Sequence, residues 1–283
     1  MDIKKHIIKF LHHPFPLWDE EVTQLLIDNK WQEFSKQNII NQTDYNITAC
    51  VLQKKNITEI TYPIFETNKS FRIALPSISL SPFYEKHGLV PEKLNPQNTE
   101  VFEKIKSALN LMQNVKPIHS FILQIVKSIQ IIKAEHTETD ISYSHPDIPF
   151  SIFFSICEEV STISDLRVAE SILHESMHLL LTLIENHIDL IFIDSKATFY
   201  SPWRNEQRPL RGVLHGMFVF KAVKDFFTLL LQYFPKSTEE ESYIISRITE
   251  IQKELKLLVN FPHLNDLTDF GKLLSYKLLS NDR

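Results

Sequence analysis

The residues most able to do chemistry form one short string, His174-Glu175-Ser176-Met177-His178, with the spacing HExxH. Residues four apart share a helical face about 6 Å apart, so both imidazoles can turn to one divalent ion. Glu175, one position after His174, then stands beside a bound water or substrate. The pattern fixes only three positions, so an amphipathic helix with two hydrogen-bonded histidines gives the same string. The surroundings favour a metal, because the flanking residues are strongly apolar and buried imidazoles and carboxylates need coordination or hydrogen bonds.

A third ligand is harder to find. The longer pattern HExxHxxGxxH is excluded, because Leu181 and Ile184 stand where it needs glycine and histidine. Glu185 and His187 are close in sequence. On a continuous helix, however, Glu185 lies seven residues past His178, about 10 Å along the axis, and neither closes a site without a break. His215 is the better candidate. Gly212 and Gly216 flank it, half of the four glycines in the chain. Glycine inside a helix costs roughly 0.5–1 kcal/mol relative to alanine, so two of them imply that a backbone or ligand packs closely there. Tight helix packing around a core histidine gives the same pattern. Nearby, Arg204 follows Pro202-Trp203 and Arg208 precedes Pro209, which places two guanidinium groups on a stiff loop leading into the His215 helix. Arginine is the side chain best shaped to hold a carboxylate in two parallel hydrogen bonds. Pairing with Glu206 is the plain alternative, and Arg211 reads as an ordinary helix-surface charge.

These residues need elements to hold them. Ser164-Asp165 suits the N-cap of a helix running through Ala169, Ile172, Leu173, Met177 and Leu180 to about His187. Before it, Asp140 to Cys157 alternates β-branched and aromatic residues with polar ones and carries two prolines, as edge or short buried strands do. Further helices are expected at Leu210 to Phe234, Thr238 to Leu258 and Leu267 to Leu279. Upstream, Asp19 to Lys36 reads as a helix, Ile47 to Leu52 and Ile57 to Ile64 as short strands, and Pro63 to Pro96 as irregular structure. Val101, Ile105 and Leu109 mark one helix, and Phe121, Ile125, Ile129 and Ile132 a second opened by Pro117, the two forming a hairpin. The expected fold is therefore mainly α with a small β component (α+β), its HExxH helix packed against further C-terminal helices. Residues 1–95 are expected to form a mixed α/β region suited to substrate recognition, and 96–283 a mainly helical, metal-binding catalytic region; no internal repeat or linker-like tract separates them, so the two are expected to form one compact unit.

Composition narrows the function. With 283 residues, 43% of them hydrophobic, the chain can bury a large core without disulfides. A net charge of -5 provides no basic field for nucleic acid. Two cysteines, Cys50 and Cys157, are too few for a disulfide framework or a cysteine-type zinc site and fit a reducing cytoplasm. The N-terminal apolar run is broken by lysine and histidine, unlike a signal peptide, and Leu179 to Ile193 is interrupted by Glu185, Asn186, His187 and Asp189, so no membrane span is expected. Four glycines argue against glycine-rich phosphate loops.

Taken together, the strand-like SHPDIPFSIFFSI, the helix AESILHESMHLLL and the run Tyr200-Ser-Pro-Trp-Arg, Arg208-Pro and Gly212-Val-Leu-His215-Gly216 resemble a bacterial family of HExxH-motif peptide-modification proteins, over roughly Asp140 to Phe234. The last run is the specific part, since simple zinc peptidases do not share it. The resemblance implies an iron(II), 2-oxoglutarate-dependent oxygenase that hydroxylates a β-carbon in a ribosomally made precursor peptide. It implies His174, His178 and His215 as iron ligands, Arg204 or Arg208 as anchor for a 2-oxoglutarate carboxylate, and Tyr200 and Trp203 as substrate contacts. Glu175 is then a ligand, an orienting partner or a base, three roles the sequence leaves open.

Two other readings compete. In a zinc metallopeptidase, Glu175 activates a zinc-bound water and the strand at Ser151 to Ile156 pairs with the substrate backbone. This leaves the two loop arginines unexplained. In a degenerate scaffold, the metal site persists and the protein only binds a peptide.

Overall fold

The computed structural model describes residues 2–13, 16–40, 59–63, 70–76, 78–94, 100–134, 140–156, 161–233 and 237–280. The strand expected at Ile47 to Leu52 and both cysteines lie outside them. The fold is mainly α with a small β component, as the periodicities require. It divides into two compact units, Ile27–Leu179 on one side and Met1–Leu26 with Leu180–Arg283 on the other.

The first unit is organised around a five-stranded sheet in the order β1-β2-β3-β5-β4. Strands β1 (Glu59–Pro63) and β2 (Ser70–Ala74) pair antiparallel. Strand β3 (Ser128–Ile131) runs parallel to both β2 and β5 (Ser151–Phe154), and β4 (Ser142–Tyr143) closes the order antiparallel to β5. Every residue of β3 and β5 is buried, which explains their near-continuous apolar character. The unit also holds α3 (Ser81–His87), α4 (Glu100–Met112) and α5 (Lys116–Ile125), the last two packed on each other; α2 (Glu20–Ile40) and α6 (Thr162–Glu185) contribute the parts that fall within the unit.

Three expectations change here. The helix opened by Pro117 stops at Ile125, and Ile129 belongs to β3 with Ile132 just beyond it. A short β-branched run satisfies helical and strand templates alike, and burial between two parallel neighbours selects the strand. The stretch from Pro63 to Pro96 contains β2 and α3 rather than only irregular structure. Pro82 sits at the start of α3, and Gly88 ends it in the left-handed conformation at φ 64°, so its signals are caps rather than periodicity. Helix α6 begins one turn before the expected Ser164-Asp165 cap. Ser161 and Ser164 cap it reciprocally, the Ser164 amide donating to Ser161 Oγ at 3.1 Å and the Ser161 amide to Ser164 Oγ at 3.2 Å.

The second unit contains α1 (Ile3–His12), α7 (Leu210–Tyr233), α8 (Thr238–Lys256) and α9 (Asp269–Leu279), with a hairpin of β6 (Thr198–Ser201) and β7 (Glu206–Pro209). Each later helix lies close to its expected span. A capping box of Ser237 and Glu240 fixes the start of α8, while the Thr268 hydroxyl accepts from the Gly271 amide at the start of α9. The proline-framed loop is in fact this hairpin. Its turn places Asn205 at φ 52°, a conformation asparagine tolerates better than most residues, and Tyr200 donates its hydroxyl to Asn205 Oδ1 at 2.8 Å across the turn.

Candidate metal centre

In the sheet-containing unit, α6 presents His174 and His178 on one face, their ring centroids 4.9 Å apart. One ligand atom from each of His174, Glu175 and His178 lies within 4.8 Å of the other two. Ligands each about 2.0–2.2 Å from one ion sit up to roughly 4.4 Å apart, close to the spread of this group. Two imidazoles and a carboxylate suit zinc or iron(II). Among the described residues no second group of three histidine, cysteine, aspartate or glutamate side chains comes as close together.

The carboxyl of Glu175 is 2% exposed and carries hydroxyl donors on both oxygens. Ser142 Oγ donates to Oε1 at 2.5 Å and Ser144 Oγ to Oε2 at 2.6 Å. Burial pushes its pKa up to about 7, although both serine bonds pull it down. His174 Nε2 is 3.8 Å from Oε1. The serines are two apart on an extended segment, which turns both side chains to the same side. Tyr143 and His145 alternate with them. They meet α3, where Tyr143 shares a 2.8 Å hydrogen bond with His87 Nδ1, and His145 lies 4.5 Å from His87, ring to ring. Burial raises the Tyr143 pKa, and the negative charges of Glu175 and Asp147 raise it further.

The sequence reading misses Ser142 and Ser144. Their alternation is legible within the expected strand segment; what they face is not. The strand offered for substrate pairing, Ser151 to Ile156, is also not the outer one. Strand β5 has β3 along one side and β4 against Phe153 and Phe154 on the other.

The remaining candidates lie in the other unit. His215 is 8% exposed, and its Nε2 is 3.0 Å from Glu185 Oε2. Arg211, read as a plain surface charge, grips that same oxygen through Nε at 2.9 Å and Nη2 at 2.7 Å. Burial alone would raise the Glu185 pKa, but the bond to His215 and the charges of His215 and Arg211 together hold it below the ordinary value. Of the three arginines around this hairpin and helix, Arg211 is the one that holds a protein carboxylate closely. Arg208 makes only a 3.6 Å approach to Glu206, both side chains well exposed, and Arg204 is exposed at the hairpin turn.

The two glycines beside His215 also acquire causes. A Cβ on Gly216 would lie 2.5 and 2.6 Å from atoms of the Trp203 ring, whereas one on Gly212 would meet Arg208 Nε at an ordinary 3.7 Å. Trp203 stacks on Phe220 at 4.8 Å. The close neighbour that the glycines imply is therefore this indole, and Trp203, expected to contact substrate, packs its ring against α7. Comparison with family models and with curated proteins finds no match for this chain.

Proposed function

We propose that this protein is a metal-dependent peptide-modifying enzyme, an iron(II), 2-oxoglutarate-dependent oxygenase that hydroxylates a β-carbon in a ribosomally made precursor peptide. The observation that carries the reading is the state of Glu175 inside the His174–Glu175–His178 cluster. A metallopeptidase needs that carboxylate open to a metal-bound water whose proton it takes. Here it is buried, with a serine hydroxyl on each oxygen. That arrangement suits a carboxylate held fixed beside the ion better than a base that shuttles protons.

In this reading His174 and His178 hold the ion, and Ser142 and Ser144 keep Glu175 fixed beside it. When bound, iron supplies oxidation by dioxygen coupled to 2-oxoglutarate. The arginines of the β6–β7 hairpin, Arg204 and Arg208, are the sequence's anchors for the oxo-acid carboxylate; the exposed position of Arg204 leaves its guanidinium open to a ligand. Co-expression with the small open reading frames neighbouring the gene, followed by mass spectrometry, tests the proposal. A gain of one oxygen, with succinate formed only when peptide, 2-oxoglutarate and iron are all supplied, is the expected result. Peptide cleavage that Glu175→Gln abolishes would make the protein a zinc peptidase instead.

A further inference from the structure

Strand β4 ends the sheet, and its pairing fixes which backbone groups face outward. The Ser155 amide donates to the Ile141 carbonyl at 2.8 Å, and the register pairs Ser142 with Phe154 and Tyr143 with Phe153. In an antiparallel pair, bonded and non-bonded positions alternate. Ile141 and Tyr143 therefore turn their backbone groups toward β5. Ser142 and Ser144 turn theirs away. The partner strand confirms the phase, since the Phe154 carbonyl, opposite Ser142, accepts from the Ile132 amide on the far side of β5. Among the described residues no strand lies beyond β4.

The two residues with outward N–H and C=O groups are thus the two whose hydroxyls hold Glu175. Anything paired to this edge runs directly beside the HExxH carboxylate. Pro146, which lacks an N–H, follows within two residues and limits the edge to this short stretch.

We propose that the outer edge of β4 is a peptide-docking site, taking an extended segment of substrate as a sixth strand through the backbone of Ser142 and Ser144. The inference rests on the reading of this chain as a peptide-modifying enzyme and names the place where that peptide lies. Backbone pairing supplies affinity with little dependence on sequence, while alternate side chains of the guest supply selectivity.

The test uses the full chain carrying His174→Ala, so that binding is read without turnover, and a synthetic library of short unstructured peptides as probe. A selected peptide is then N-methylated at each amide in turn. Binding is expected to weaken about tenfold at every second position, the loss of one backbone hydrogen bond, and little in between. Hydrogen exchange at the Ser142 and Ser144 amides is expected to slow when the peptide is added. Ser144→Ala, which removes the hydroxyl and keeps the amide, should retain docking, and Ser144→Pro should lose it. Circular dichroism checks that both fold, and the exchange experiment stands without either variant. Failure to select any peptide, or a bound peptide that shows no alternation and leaves both amides unprotected, overturns the proposal. Docking at the edge without oxidation or cleavage by the wild type keeps this inference and removes the enzymatic reading; turnover of a peptide that leaves the edge unprotected does the reverse.

Discussion

Replacing each glycine beside His215 with alanine should move stability in opposite directions. Alanine is favoured over glycine inside a helix by about 0.8–1.0 kcal/mol, so both changes begin with the same gain in α7. At Gly212 nothing opposes it, because the new methyl would touch Arg208 at 3.7 Å, and the variant should be more stable by roughly that amount. At Gly216 the methyl would enter the Trp203 ring at 2.5 and 2.6 Å. The indole is held in place by its stacking on Phe220 at 4.8 Å, so moving it away would give up that contact. Overpacking of this kind costs about 1–3 kcal/mol, which offsets the helix gain and leaves Gly216→Ala neutral to about 2 kcal/mol less stable. The difference between the variants is the cleaner quantity, because the propensity gain cancels and about 1–3 kcal/mol of contact strain remains. Urea unfolding of both proteins, compared at equal slopes, measures it. Equal stabilisation by both alanines would show that Trp203 does not lie against Gly216, and the packing explanation for the glycine pair would fail.

Metal content after anaerobic purification should fall at least tenfold in His174→Ala and in His178→Ala; occupancy equal to wild type in either would remove it from the ligand set. His215→Ala is expected to lower metal content as well, and a variant that keeps its metal while losing about 2 kcal/mol of stability would assign His215 to the Glu185 pair alone. Arg211→Ala should cost under about 1 kcal/mol in urea unfolding, because its side chain is 55% exposed and solvent screens the pair; a larger loss would mean that the ion pair is stronger than its exposure allows. Burial lowers the Lys277 pKa to about 8, with Lys221 lowering it further and Asp19 opposing. The folded state then holds fewer protons than the unfolded chain between pH 8 and about 10.5, so stability should rise by about 3 kcal/mol across that window, and Lys277→Met should abolish the rise. A rise that persists in the variant would exclude Lys277 as its source.

The sequence by itself determined the elements whose signals are local. The spacing of Ala169, Ile172, Leu173 and Met177 marks the HExxH helix, and the spans of α7, α8 and α9 follow from apolar periodicity bounded by polar or proline breaks. The proximity of His174, Glu175 and His178 needs only the pitch of one helix. Tertiary structure decided what no local signal contains. The Ile129 strand is a strand because two parallel neighbours enclose it. Ser142 and Ser144 share a side by strand alternation, but only packing directs that side to Glu175. Gly216 announced a close neighbour without naming it, and the neighbour is an indole thirteen residues earlier. Arg211 looked like a surface charge because its partner, Glu185, is distant in sequence. Periodicity reports which face of an element is buried, while the choice of what it is buried against belongs to the packing of residues far apart in the chain.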